Sequence, residues 1–159
     1  MNNRVRLDLN LKVRGGLTSA NVHKLARALS DAGRRQINQA IGSELIALAE
    51  DTFGIDGQNR PEPWHPLSPK YQKAIGYYGP PTLVLTRSMF ESFGIHTATS
   101  YGVTVTNSSD YAEEHQHGAP ARNLPRRGFF PITLGGQLTD HAKTELNRAA
   151  QEAFDKMMI

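Results

Sequence analysis

Between Asp110 and Phe130 the chain reads DYAEEHQHGAPARNLPRRGFF. His115 and His117, the carboxylates Asp110, Glu113 and Glu114, the guanidinium groups of Arg122, Arg126 and Arg127, and the ring pair Phe129-Phe130 lie close together here. Several chemistries use such a set. Imidazoles and carboxylates together can hold a metal ion. An imidazole oriented by a carboxylate is a general acid–base pair. Arginines beside aromatic rings can grip phosphates and stack on bases. The same residue types also build docking surfaces, in which apolar anchors sit among polar partners.

Spacing weighs these readings. Residues two apart share a face on a strand but point to different faces on a helix. Asp110 and Glu113 stand at capping-box spacing and Gly118 is a natural stop, which predicts a short helix and separates His115 from His117. His23, His65, His96 and His141 show no H-x3-H spacing. No metal set is expected. For acid–base work, His115 with Glu113 or Asp110 could form a dyad, and a ribonuclease-like histidine pair is conceivable. Yet no nucleophile motif stands nearby, and the glycines of the 54–79 region spell neither G-x-x-x-x-G-K nor G-x-G-x-x-G. The expectation is a protein that is not an enzyme and needs no cofactor. For nucleic acid, Arg122, Arg126, Arg127, Phe129 and Phe130 could combine phosphate contact with stacking. An Arg-Gly-Phe-Phe step is more often a turn delivering two rings to a core or an interface.

Composition sets the outer limits. A chain of 159 residues suits one domain with a real core. No stretch reaches the roughly 18 apolar residues of a membrane span. The opening MNNRVRLDLNLKV has no apolar h-region, so no secretory signal is expected. Absence of cysteine excludes disulfides, thiolate metal sites and cysteine nucleophiles, and fits synthesis in a reducing cytoplasm. The net charge is +3 and the pI about 9.3. That balance permits nucleic-acid contact without arguing for it.

The elements that must position these residues follow from periodicity. Val5, Leu7, Leu9, Leu11 and Val13 alternate with polar residues, which predicts a strand ended by Gly15-Gly16. Apolar stripes at helical spacing run through Val22, Leu25, Ala26 and Leu29, then Ile37, Ile41, Leu45, Leu48 and Ala49. They predict one long or two consecutive helices over 19–53, capped at Ser19, with Gly33 as a weak point and Phe53-Gly54 as the close. Residues 54–82 hold six of the nine prolines and the only tryptophan. Disordered linkers are poor in aromatics, so an ordered loop packed by its own side chains is expected. Ser88 and Glu91 mark a short helix start, and 94–107 alternates as a β-hairpin turning at Ser100-Tyr101-Gly102. Residues 128–134 suggest a short strand, and 139–158 a C-terminal helix. The sum is an α+β domain over 1–159. A small antiparallel sheet, made of the N-terminal strand and the 94–107 hairpin, is packed by a long N-terminal helical segment and the C-terminal helix.

Three blocks resemble the phage virion morphogenesis, or tail-completion, family of Mu-like phages and prophages. WHPLSPKY, Trp64 to Tyr71, is similar to W-x-P-L-S-x-x-Y followed by Lys, with Lys73 close by. LVLTRSMFESF, Leu83 to Phe93, is similar to an L-x-x-T-G-x-L-x-x-S block. YAEEHQHG followed by LPRRGFFP is similar to Y-A-x-x-H-Q-x-G followed by P-A-R-P-F-L. Tyr111, Ala112, His115, Gln116, Gly118, Pro125, Arg127 and Phe129 match position by position. Arg87 stands where the family usually has Gly, and Gly128 replaces the second Pro, which predicts a changed turn and a freer backbone. The resemblance covers most of 20–155. It implies a structural protein of the virion, made in the bacterial host cytoplasm, that completes the tail or joins it to the filled head at the neck. It also implies a homo-oligomeric ring around the DNA channel, with possible non-specific DNA contact. Partners would be other neck, tail-terminator or head-completion proteins, with no membrane. The alternatives are a nucleic-acid-binding protein of a prophage or a His-dependent nuclease. On the assembly reading, Trp64, Pro66, Leu67, Tyr71, Tyr111, His115, Gln116, Arg127, Phe129 and Phe130 are the candidate interface residues.

Overall fold

The computed structural model describes residues 5–14, 18–76, 82–83 and 87–159. Two consecutive helices, α1 (Ser19–Ala28) and α2 (Asp31–Gly54), fill the span marked as helical. The first cap is Thr18 rather than Ser19; its side chain accepts the Asn21 N–H at 3.2 Å. The break falls at Leu29-Ser30, before Gly33. There Ser30 Oγ accepts the Gly33 N–H at 3.2 Å and donates to the Arg27 carbonyl at 2.6 Å, ending one helix and starting the next.

Helix α2 has two covered sides. Ile37, Ile41 and Leu48 meet Leu146, Ala150 and Phe154 of the C-terminal helix, and Ala28 of α1 joins the same core. That C-terminal helix, Asp140–Met158, is capped by Thr139, whose hydroxyl accepts the Ala142 N–H. Its buried Ala142, Leu146, Ala149, Ala150 and Phe154 repeat at helical spacing, as expected. On its other side α2 carries the hairpin β1 (Phe93–Ala98) and β2 (Val103–Asn107), an antiparallel pair with an irregularity between Ile95 and Thr97. Gly42 permits this approach. A Cβ there would lie 2.7 Å from Val103 Cγ2 and 2.9 Å from Ile95 Cδ1. Asn38 Nδ2 donates to the Thr99 carbonyl at 2.8 Å and ties the hairpin turn to α2.

Between α2 and the hairpin, Ser68 caps the short helix α3 (Pro69–Ile75) inside the Pro-rich loop. A 3-10 turn, Phe90–Ser92, leads into β1 where a short helix was expected. Arg87, before that turn, has φ 57°. A glycine takes this left-handed conformation without strain. Arg87 thus holds a backbone conformation that glycine takes freely. After the hairpin comes α4 (Ala112–His117), ending at Gly118. No side-chain cap bond forms at its start, where Tyr111 sits in helical conformation and the Ala112 N–H bonds the Ser109 carbonyl at 3.0 Å. With this, the C-terminal helix is α5.

The α+β class stands, with two corrections to the sheet. Among the described residues the sheet has two strands, and 5–14 is not one of them. Val5, Leu7 and Leu11 do pack on the helical core, but the arm's peptide groups bond side chains of α5 instead of a strand. Residues 128–134 form no strand either; an isolated bridge pairs Ile132 with Leu138. The N–H groups of Phe129 and Phe130 are already taken by the Gln116 side chain. The expected stop at Gly15-Gly16, the loop stretch 77–81 with Tyr77 and Tyr78, and residues 84–86 of the second family block lie outside the described residues.

Leu146 lies in the middle of the helical core. Leu146→Ala should lower unfolding free energy by about 2–5 kcal/mol. Urea titration should show a lower midpoint with an unchanged slope.

Candidate functional site

Phe53, at the end of α2, organises a second core of rings. Trp64, Phe90 and Phe93 meet it edge-on at centroid distances of 5.3, 5.9 and 5.9 Å, and Phe129 packs tilted at 5.9 Å. Phe130 closes the group at 5.0 Å from Phe129 and 5.6 Å from Phe93. Such offset and edge-on pairs contribute about 0.5–1.5 kcal/mol each beyond burial. Gly57 lets the indole settle. Its φ is 69°, and a Cβ there would fall 2.3 Å from Trp64 Cδ1.

The segment 126–130 runs through this core and is held by side chains. Gln116 Oε1 accepts the N–H groups of Phe129 and Phe130, both at 3.0 Å. Trp64 Nε1 donates to the Gly128 carbonyl at 2.9 Å, so the backbone freed by replacing proline is pinned again. Arg60 Nη2 donates to the carbonyls of Phe129 and Leu48, each at 2.7 Å, and to Thr52 Oγ1. The Arg127 N–H bonds the His115 carbonyl at 2.7 Å. Its guanidinium reaches back to the loop, with Nε to the His65 carbonyl at 2.8 Å and Nη2 to that of Pro66 at 3.2 Å. Arg126 donates to the Gln116 carbonyl and pairs with Glu62 at 2.9 Å. Together these bonds lash the 60–66 loop, α4 and the 126–130 segment into one unit.

The electrostatics are those of charges taken from water. Burial pushes the Arg60 guanidinium down to about 10, against an upward pull from Asp51, and it stays cationic at neutral pH. Burial also lowers Arg127, with Asp56 and Tyr71 opposing. His115 is lowered first by burial and then by the neighbouring Arg127, with Glu114 opposing. Its Nδ1 is buried without a hydrogen-bond partner among the described residues. A neutral imidazole follows at physiological pH. The cleft beside Arg60, Glu62, Arg126 and Phe130 holds about 10 Å³, room for one water rather than a substrate.

The candidate interface residues therefore divide. Trp64, Gln116, Arg127 (3% exposed) and Phe129 are buried inside the subunit, while His115 and Phe130 are half-buried beside them. Arg127 applies its fork to two backbone carbonyls of its own chain. Tyr71 (52% exposed), Tyr111 (64% exposed) and Pro66 face solvent, and Leu67 is half-buried. His115 faces inward and His117 outward on α4, and no group of three or more His, Asp or Glu among the described residues could hold a metal ion. Arg122 pairs with Glu114 at 2.6 Å, so all three arginines of the opening stretch are engaged within the subunit. Sequence reasoning missed Arg60, Thr52, Phe53 and Phe93. Nothing nearby singled out Arg60 in the sequence, since Lys70 and Lys73 share the same Pro-rich loop.

Two outcomes follow. Gln116→Leu strands two N–H donors and should lower stability by about 2–4 kcal/mol, whereas Gln116→Glu keeps the acceptor and should lose much less. Equal losses in thermal and chemical denaturation would contradict the clamp. For His115, folded and unfolded states hold the same protons above pH 6.5. Below it the unfolded chain binds a proton first, because the folded value is depressed. Melting temperature should therefore fall as pH drops below 6.5, and His115→Gln should flatten that part of the profile.

An uncharacterized protein of Methanocaldococcus jannaschii is 27% identical over 106 residues, covering 64% of this chain and 78% of that protein. No solved structure matches the chain. The pattern of the phage virion morphogenesis family matches residues 18–153, from the cap of α1 into α5, and so takes in both cores and the clamp. No helix among the described residues is long and apolar enough to cross a membrane. The chain belongs to the phage virion morphogenesis family, and with it to the structural proteins of phage assembly.

Proposed function

We propose that this protein completes the phage tail or joins it to the filled head, as a subunit of a homo-oligomeric ring at the neck or tail end, without catalysing a reaction. The observation that carries this reading is what the family's motif residues do. Trp64, Gln116, Arg127 and Phe129 hold loops together through bonds to backbone, and none is presented to a substrate cavity. A site for chemistry would aim such groups at open space.

The clamp leaves a rim of exposed side chains on the elements it fixes. Tyr71 on α3 and Tyr111 at the start of α4 are large, amphipathic and solvent-facing, with Pro66 and Leu67 on the loop between the clamp and α3. Tyrosine is enriched at interface hot spots because a rigid ring brings contact area at low entropic cost. These residues suit contacts with a second copy or with neighbouring neck, tail-terminator or head-completion proteins. Such a ring subunit meets its neighbours through two different surfaces.

Surface and core variants separate the roles. The double change Tyr71→Ser with Tyr111→Ser should leave melting of the free subunit nearly unchanged, yet reduce joined heads and tails counted by electron microscopy. Phe129→Ala should lower the melting temperature on the order of 10 °C, in line with a large core deletion. A wild-type yield of joined particles from the double variant would refute the surface assignment. Hydrolysis of nucleic acid that His115→Ala abolishes without unfolding the chain would refute the class.

A further inference from the structure

Helix α5 carries a ladder matched to the backbone of an extended chain. Asn147 and Gln151 are four residues apart, which stacks their side chains about 6 Å apart along the axis. An extended chain repeats the same face every two residues, about 6.6 Å. The two repeats meet in the N-terminal arm. Asn147 Oδ1 accepts the Asn10 N–H at 3.3 Å, and Gln151 Oε1 accepts the Lys12 N–H at 2.8 Å. Gln151 Nε2 also donates to the Lys12 carbonyl at 3.0 Å, so one side-chain amide imitates a residue of a neighbouring strand. Val5, Leu7 and Leu11 pack on the helical core beneath, while Arg6, Asp8, Asn10 and Lys12 point to solvent.

The ladder and its occupant lie on either side of the start of the family match. Asn147 and Gln151 lie within the region matched by the family, residues 18–153; the arm lies before it. The arm's hold is slight. The described bonds from α5 to its peptide groups are those three, with an exposed Arg14–Asp155 pair at 3.9 Å. Segments held by few exposed bonds open at low free energy.

We propose that this face of α5 is a docking site for an extended segment, and that in the assembled particle it receives the arm, residues 5–14, of a neighbouring copy in exchange for the chain's own. The proposal rests on the oligomeric reading above. Exchange recreates the same contacts between copies, so no new complementary surface is needed. The occupant is identified by fit: the arm's apolar residues and the Asn10 and Lys12 peptide groups already match the site. In a dilute subunit the tethered arm outcompetes any other. In a ring, neighbouring arms are held at comparable effective concentration, on the order of millimolar.

The chain has no cysteine, so introduced thiols report cleanly. The double variant Asn10→Cys with Asn147→Cys should close within one chain in the free subunit when treated with a short bis-maleimide, whose spacer joins thiols that do not face each other. The two single variants, co-expressed and assembled into particles, should give covalent dimers with the same reagent. Those dimers should require both variants and fall several-fold when Gln151→Leu is added. The pair Lys12→Cys with Gln151→Cys repeats the comparison one rung along; if neither pair closes in the free subunit, the seating is wrong and the proposal fails. If particles form, the double variant closes within one chain and the mixed single variants stay monomeric, exchange is overturned and the assembly reading stands. If heads and tails join normally without this protein, the assembly reading itself falls.

Discussion

The segment from Arg126 to Phe130 crosses the aromatic core without a strand beside it, and its peptide groups must still find partners. An unpaired peptide group away from water costs about as much as a lost hydrogen bond. Side chains supply the pairing here: Gln116 takes two N–H groups, Trp64 and Arg60 serve two carbonyls, and the His115 carbonyl takes the Arg127 N–H. Much of the second core follows from this requirement. The loop at 60–66 must return to deliver Arg60 and Trp64, α4 must turn Gln116 inward, and Gly57 must leave room for the indole.

Arginine serves this requirement because its planar fork reaches several acceptors from one position. Arg60 and Arg127 bond carbonyl oxygens, which bring no opposing charge; burial lowers both guanidinium groups, opposed by Asp51 for the first and by Asp56 and Tyr71 for the second. Retaining buried cations in this way fixes which loop lies against which. A core of rings alone would pack in several arrangements of similar energy. The bonds to the His65, Pro66, Phe129 and Leu48 carbonyls specify one.

Placing family motif residues inside the subunit suits an assembly role. Loops that dock must be presented in a fixed geometry, since ordering them on contact would reduce affinity. The clamp orders the loop entering α3 and the start of α4 within the subunit itself, with Tyr71 and Tyr111 on the outside. The helical core does the corresponding work at the other end, where α5 meets α2 on one side and offers its amide ladder to an extended chain on another.

The sequence by itself determined the α+β class, the helical span over 19–53 though not its division in two, the 94–107 hairpin, α4 and α5. These are local patterns, in which side-chain period and capping residues act within a few neighbours. It also carried the family, through the order of three blocks. Tertiary structure alone decided what pairs with each backbone. Residues 5–14 have the period of a strand, but period fixes only which side chains share a face; α5 amides, not a strand, took the peptide groups. Residues 128–134 were lost as a strand for the same reason. Arg127 and Phe129 read as readily as interface anchors as core residues, because their types are used in both. Only the position of the Pro66 carbonyl and the Phe53 ring, 61 and 76 residues away in sequence, made them internal. Hydrogen bonds between distant segments leave no period in a sequence, which is why Arg60 could not be recognised before the fold was known.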